Sequence, residues 1–243
     1  MLRTPTLPAP AEKERVVQRM FSAIARWYDL NNTVLSLGLH HAWKREAVAL
    51  TEVKPGGRVL DLCAGTCDLA ILLADAVGPA GRVVASDLNP EMLGVGLHKV
   101  RARGLRDRVA CALGNAEALQ FPDNSFDALT VAFGLRNVTH LDKALAEIHR
   151  VLKPGGRAVC LEFSRPTNAA FRKTYDFYSF TLLPKVGTWI SRDHTGVYQY
   201  LPDSIRHFPA QEPFADLWRK TGFREVSYRN RSGGIVAIHV GVK

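Results

Sequence analysis

From Gly57 onward the chain alternates short apolar runs with stretches of helical spacing, and no other feature restricts its fold as much. Runs near 58–62, 82–87, 108–114, 126–132 and 156–163 read as strands, and 68–77, 90–103 and 141–152 as helices between them. Pro55-Gly56-Gly57 and Pro154-Gly155-Gly156 are turns that launch the first and fifth strands. This alternation demands a mostly parallel α/β sheet with helices on both faces. Ahead of it, Met20, Ile24, Trp27 and Tyr28, then Trp43, Ala47 and Leu50, recur at helical spacing, with Asn31-Asn32 as a stop signal between them. After the fifth strand, residues 168–205 are rich in aromatic side chains and free of strand signals. Pro209 to Thr221 reads as a helix, and 224–228 and 235–242 as strands of a hairpin turning through 230–234. An antiparallel hairpin closing a parallel sheet sets this chain apart from an ordinary dinucleotide-binding fold.

The 243 residues suffice for one or two domains at roughly 150 residues each, and we expect one over 1–243. Within it, 1–11 is a loose leader, 12–54 an N-terminal helical cap, and 168–208 a helical lid over the substrate. The leader is proline-rich and lacks the apolar centre of a signal peptide. No apolar run approaches the ~18 residues of a membrane span. Cys63, Cys67, Cys111 and Cys160 sit in apolar or glycine-rich surroundings, as reduced thiols do, and Cys63 with Cys67 lacks the second ligand pair of a zinc site. The formal charge of +9 favours anionic partners: nucleic acid, acidic lipid or phosphorylated substrates.

The chemistry concentrates at the carboxyl ends of the strands, where open α/β sheets bind ligands. The first strand runs into Asp61-Leu62-Cys63-Ala64-Gly65-Thr66-Cys67. A nucleotide loop of pattern acid-x-Gly-x-Gly-x-Gly needs small residues for backbone approach. Here only the middle glycine, Gly65, is kept. Asp87 ends the second strand, where an acid accepts both ribose hydroxyls or, alternatively, caps the helix at Pro90. Asn115-Ala116 follows the third strand, placed for an adenine amino group and ring. Arg136 and Asn137 follow the fourth, where a substrate meets the cofactor; a surface Arg and a helix cap are the plain alternative.

Asp61 to Asp68, Asp87 and Asn115-Ala116 resemble the motifs of class I S-adenosylmethionine-dependent methyltransferases. Phe133-Gly134-Leu135-Arg136-Asn137-Val138 narrows the likeness, together with Tyr28-Asp29, Leu35 to His40, Trp43-Lys44 and Arg150 to Gly156. So do Leu161 to Ser164, Tyr200-Leu201-Pro202, Gln211-Glu212 and Gly233 to Ala237. These blocks are similar to the ubiquinone/menaquinone biosynthesis C-methyltransferase family, over about residues 16–243. The resemblance implies a Rossmann-like class I fold: a seven-stranded, mostly parallel sheet closed by an antiparallel hairpin. It implies S-adenosylmethionine as cofactor, with no metal, held by Asp61, Gly65, Thr66, Asp87, Asn115 and Ala116. Cys63 and Cys67 replace family glycines, and Ala132 stands where some members have serine; weaker cofactor affinity is the expected consequence.

The implied reaction is C-methylation of a polyprenylated quinol, most readily demethylmenaquinol, with a 2-methoxy-6-polyprenyl-1,4-benzoquinol or another small lipid as the alternative. Arg136 would stabilise a phenolate while Asn137 and Tyr28 orient the ring; His194, Asp193 and Tyr200 are weaker candidates for proton transfer. A nucleic-acid methyltransferase is disfavoured, because Phe133 to Arg136 stands where an Asp/Asn-Pro-Pro-aromatic motif belongs. A non-catalytic protein of the cofactor fold is a further rival, suggested by the lost glycines. No nucleic-acid partner is expected. The partners expected are the quinol, transient contact with a membrane surface, and a second copy in a homodimer. The location expected is cytoplasmic, peripheral at the inner face of the cell membrane.

Overall fold

The computed structural model describes residues 7–243. Its strands are β1 (Arg58–Leu62), β2 (Arg82–Asp87), β3 (Val109–Leu113), β4 (Phe126–Ala132), β5 (Leu152–Phe163), β6 (Arg224–Arg231) and β7 (Val236–Val242). They form one sheet in the order β3-β2-β1-β4-β5-β7-β6. β1 to β5 run parallel, and β7 enters antiparallel between β5 and β6, with Val159 opposite Val240. The central strands are buried on both faces and read as nearly unbroken apolar runs, as Val59 to Leu62 does. The edge strand β6 carries Arg224, Arg229 and Arg231 and is largely exposed, which guards the edge against pairing with another chain.

Helices cover both faces. α4 (Asp68–Val77) and α5 (Pro90–Ala102) pack Leu73, Ala74 and Val100 against β1 to β3. α6 (Leu141–Val151) and α10 (Gln211–Thr221) bury Leu145, Ile148, Phe214 and Trp218 on the other face. α3 (Leu39–Leu50) lies beside α4 and packs Trp43 and Ala47 on β5 and β7. Above the strand ends sit α1 (Pro10–Ile24) and α2 (Tyr28–Leu35), together with the insert α7 (Ala169–Phe177), α8 (Leu183–Ser191) and α9 (Val197–His207). A π-helical turn, Tyr178–Leu182, joins α7 to α8. α1 and the insert share a core of Met20, Ile24, Leu183, Tyr198 and Tyr200.

Two local expectations are corrected. Asn31-Asn32 lies inside α2 and stops nothing. Asn31 is buried and its amide donates to Tyr198 Oη at 2.6 Å, so tertiary contact overrides its weak helix propensity. The helices break instead at 25–27 and at Gly38, whose φ of +76° costs glycine nothing. The leader is shorter than 1–11, because α1 begins at Pro10, a residue pre-set for a first helical turn. Residues 1–6 of that leader lie outside the described residues.

Candidate active site

Two cavities meet above the carboxyl ends of β1, β2 and β4. The first encloses about 790 Å3, mouth included, and is lined by Gly65, Asp87, Asn115, Ala116 and Asn137, with Glu14, Val17, Gln18 and Phe21 of α1 as its roof. The second encloses about 1490 Å3, mouth included, and is walled largely by apolar and aromatic side chains of α2, α3 and the insert, with Arg136 among them. Phe21, Tyr28 and Phe133 line both and form the partition.

In the first cavity the polar groups are fixed by backbone. Asp87 accepts from Gly65 N through Oδ2 and from Asn89 N through Oδ1, both at 2.8 Å. Burial pushes its carboxyl above the ordinary value, against the pull of those amides. Asn115 accepts from Glu117 N at 2.8 Å and donates to Glu14 at 3.2 Å. Gly65 adopts φ +53°, and a Cβ there would press on Met92 Cε at 3.2 Å. The two cysteines of the loop also take left-handed conformations, φ +54° at Cys63 and +62° at Cys67. These are positions where glycine is free of strain and another residue costs about 1–2 kcal/mol. Compensating glycines face them: a Cβ on Gly134 would collide with Cys63, and one on Gly96 with Cys67 Sγ. Cys67 Sγ lies 3.9 Å from Cys111 Sγ.

Asp61 and Thr66 line neither cavity. Asp61 is buried beneath the loop, accepts from Thr130 Oγ1 at 2.7 Å, and is pushed up to about 7 by burial. Thr66 is buried and donates to Asp29 Oδ1 at 2.6 Å. Lys99 binds Asp29 Oδ2 at 2.7 Å and also pairs with Asp68, and Lys44 holds Asp68 at 2.7 Å. Burial opposes the charge of Asp68, but the two lysines outweigh it and hold the carboxyl down to about 2. This cluster ties α2 and α3 to the loop.

Arg136 and Asn137 form a single 3₁₀ turn after β4. The Arg136 side chain is buried; Nη1 donates to Glu162 Oε1 at 2.9 Å and to Phe133 O, and the guanidinium lies over the Phe163 ring at 5.4 Å. Among the described residues Nε has no hydrogen-bond partner. Asn137 Oδ1 accepts from Tyr200 Oη at 3.2 Å. Burial raises the phenols of Tyr28 and Tyr200, the latter to about 12, so both stay neutral donors. Phe133 takes φ +56° at the partition and stacks on Phe163, ring centroids 4.6 Å apart.

Sequence reasoning missed the roof of α1, whose lining residues carry no motif, and gave no role to His40 at the end of the Leu35 to His40 block. That imidazole lines the second cavity. Its Nε2 lies 3.1 Å from Thr33 Oγ1, whose own hydrogen goes to Asp29 O, so Nε2 is the donor. Burial and then Lys44 push it down to about 4, leaving it neutral. Glu162 carried no role in the sequence, yet it anchors Arg136. Two weak candidates are displaced: His194 is exposed, Asp193 caps Thr195 and Gly196 through its own carboxylate, and neither lines a cavity. Among the described residues no three His, Cys, Asp or Glu side chains gather as for a metal.

The model of the ubiE/COQ5 methyltransferase family matches residues 10–243. The chain belongs to that family. It is 51% identical over 238 residues to the ubiquinone/menaquinone biosynthesis C-methyltransferase UbiE of Xanthomonas campestris pv. campestris, covering 97% of this chain and 92% of that one. The protein of the same description from Legionella pneumophila (strain Paris) is 46% identical over 232 residues, covering 96% and 92%. Among solved structures, a SAM-dependent methyltransferase from Aquifex aeolicus superposes with TM-score 0.59 at 19% identity, covering 82% of this chain and 88% of that one. The [4+2]-cyclase SpnF superposes with TM-score 0.67 at 20% identity, covering 97% and 80%. Likeness at that identity shows the fold alone, and the cyclase illustrates why function must be argued from the site. As a member of its family the protein is a methyltransferase, and S-adenosylmethionine is its cofactor. The first cavity fits that cofactor: a half-buried carboxylate with lone pairs to spare, an approachable glycine backbone, and the apolar walls Val17, Leu88 and Met92.

Proposed function

We propose that this protein methylates a ring carbon of a polyprenylated quinol, with demethylmenaquinol as its substrate. The observation that carries the reading is the junction of the two cavities. A cavity whose polar groups, Asp87, Asn115 and the Gly65 backbone, suit a nucleoside shares the partition of Phe21, Tyr28 and Phe133 with a large apolar one, and Arg136 is the cation on the apolar side. A ring with a greasy tail suits that apolar space.

S-adenosylmethionine supplies a methyl group on a positively charged sulfur. The residues do the rest. Asp87 would accept the ribose hydroxyls, the Gly65 backbone would receive the methionine end, and Asn115 with Ala116 would border the adenine. Asp61 and Thr66 act from beneath, as positioning residues of the loop. An aromatic carbon is a weak nucleophile until a ring hydroxyl loses its proton. Arg136, always charged, stabilises the resulting phenolate with the donors Glu162 leaves free. Asn137 and Tyr28 orient the ring so that the carbon ortho to that oxygen faces the methyl group. When bound, S-adenosylmethionine would supply the methyl group to that carbon, and the two protons the ring gives up, from the hydroxyl and from the methylated carbon, would pass to water. A substrate with a polyprenyl tail puts the work at the inner face of the cell membrane; no helix of the described residues is long and apolar enough to cross a membrane.

Purified protein, S-adenosylmethionine and either demethylmenaquinol or a 2-methoxy-6-polyprenyl-1,4-benzoquinol test the reading by mass spectrometry of the product. Methylation of the naphthoquinol supports it, methylation of the benzoquinol alone replaces the substrate, and methylation of neither ends it.

A further inference from the structure

Among the described residues eleven large apolar side chains are exposed, and ten of them fall within 27–39 and 171–189. The exception, Leu113, lies on the far strand β3. Exposed apolar residues scattered singly need no explanation; a concentration of this kind does. The two segments adjoin. α2 packs against α8, and Tyr178 Oη donates to Leu35 O at 2.8 Å. Leu30, Val34 and Leu37 follow one side of α2 and the turn after it, and Leu182, Val186 and Trp189 follow one side of α8 and the turn before it. Trp189 is 81% exposed and Leu37 88%. Leu37, Leu39 and Phe171 are at once exposed and part of the apolar cavity's wall, so this surface surrounds the cavity's mouth.

Its charge is one-signed. Residues 26–41 and 168–195 contain three acids, and each is engaged. Asp29 binds Thr66 and Lys99, Asp176 pairs with Arg206, and Asp193 caps its own loop. Arg26, Lys173, Lys185 and Arg192 are exposed among the apolar side chains. Apolar side chains ringed by unopposed cations match an anionic lipid surface, which offers an apolar interior behind negative headgroups.

We infer that this face, built from α2, the following turn, α7 and α8, docks on an anionic bilayer and sets the cavity mouth against the lipid. The inference rests on the quinol reading for its purpose: a polyprenyl tail then slides from the membrane into the apolar cavity without crossing water.

The test is co-sedimentation with phosphatidylcholine vesicles with and without phosphatidylglycerol at low salt, beside turnover of a short-tail quinol in solution and a long-tail quinol in the vesicles. The wild type should bind the anionic vesicles and release them as salt rises. Trp189→Glu combined with Leu30→Glu lines no cavity; it should weaken binding by about tenfold or more and lose long-tail turnover, while short-tail turnover persists. Lys173→Glu with Lys185→Glu, on exposed polar positions that cannot upset a core, should also cost about tenfold or more in anionic vesicles. Leu113→Glu should change nothing. Equal binding to neutral vesicles, or variants that bind as the wild type does, would overturn the inference. So would light scattering that shows a dimer split by Trp189→Glu with Leu30→Glu, since the face would then belong to a second copy. Vesicle binding without methylation of either quinol would leave the docking face standing and end the quinol reading.

Discussion

The two cavities share three side chains and differ in nearly everything else. The first is framed by the carboxyl ends of strands, and its polar groups are pinned by backbone amides, as Asp87 is by Gly65 and Asn89. The second has walls of side chains on helices distant in sequence, and its one buried cation is held by a carboxylate from a neighbouring strand. A site fixed by backbone tolerates change in its loop residues. A site fixed by one ion pair in an apolar wall does not.

The largest effect is expected at Arg136. Arg136→Ala removes the cation and leaves Glu162, 1% exposed, as an uncompensated buried charge. Turnover should fall by about 10² to 10³ and stability by about 3–5 kcal/mol. Mass spectrometry of the product and urea unfolding read the two separately. Arg136→Lys should recover part of the stability and little of the turnover, because a point charge does not reproduce the guanidinium fork. Full turnover in Arg136→Ala would erase the distinction between the cavities.

Asp61 shows what lies beneath the backbone-fixed site. Its carboxyl, 3.8 in ordinary surroundings, stands at about 7 when folded, because burial disfavours the charge. The folded state therefore binds a proton that the unfolded state releases, and stability falls as pH rises from about 4 to about 7. The fall amounts to about 4 kcal/mol at most. Urea unfolding across that range should show a slope in the wild type that Asp61→Asn flattens; parallel curves would refute the assignment. Asp87, by contrast, opens on the cavity. Asp87→Asn should weaken S-adenosylmethionine by about 10- to 100-fold in calorimetry, the loss of hydrogen bonds to a charged acceptor, with the quinol KM unchanged.

The same contrast explains what could be read in advance. Strands ending in Leu62, Asp87 and Ala132 were legible because a buried parallel strand is a local apolar run and the ligand site follows at its end. The hairpin of β6 and β7 was legible from its glycine-rich turn. The apolar cavity was legible only as aromatic content: Phe171, Tyr175 and Tyr178 line it while Phe177 and Trp189 face outward, and composition cannot tell these apart. Arg136 was legible through its signature, but Glu162, 26 residues away, was not, because an ion pair between neighbouring strands leaves no local pattern. Thr66 was read by its place in the loop as a cofactor contact, and the side chain turns instead to Asp29, which only the packing of α2 reveals.

That residue supplies a sharper test. If Thr66 serves the clasp, Thr66→Val and Asp29→Ala both remove that hydrogen bond, and Asp29→Ala also removes the ion pair with Lys99. Thr66→Val should cost about 1–1.5 kcal/mol, Asp29→Ala more, and the pair little more than Asp29→Ala alone. If Thr66 serves the cofactor, the two losses add. A double-mutant cycle in urea, repeated with saturating S-adenosylmethionine, separates the cases. Coupling near zero would detach α2 from the loop energetically and make the first cavity independent of the cap.

The smallest effect concerns the loop's departure from glycine. Cys67 is fully buried and left-handed. Cys67→Gly relieves about 1–2 kcal/mol of backbone strain. Against that stand a more flexible unfolded chain, about 0.4–1 kcal/mol, and the loss of a buried sulfur packed on Gly96 and Cys111. These terms nearly cancel, so stability should move by less than about 1 kcal/mol in thermal melts. Cofactor affinity should move as little, since Cys67 lines neither cavity. Cys63 does line the first, and Cys63→Gly should widen it and tighten S-adenosylmethionine binding by a few-fold, less than ~1 kcal/mol on the scale of 1.4 kcal/mol per tenfold. If Cys67→Gly moved affinity more than Cys63→Gly, the loop would be transmitting strain to the cofactor site, and the tolerance ascribed to a backbone-fixed cavity would fail.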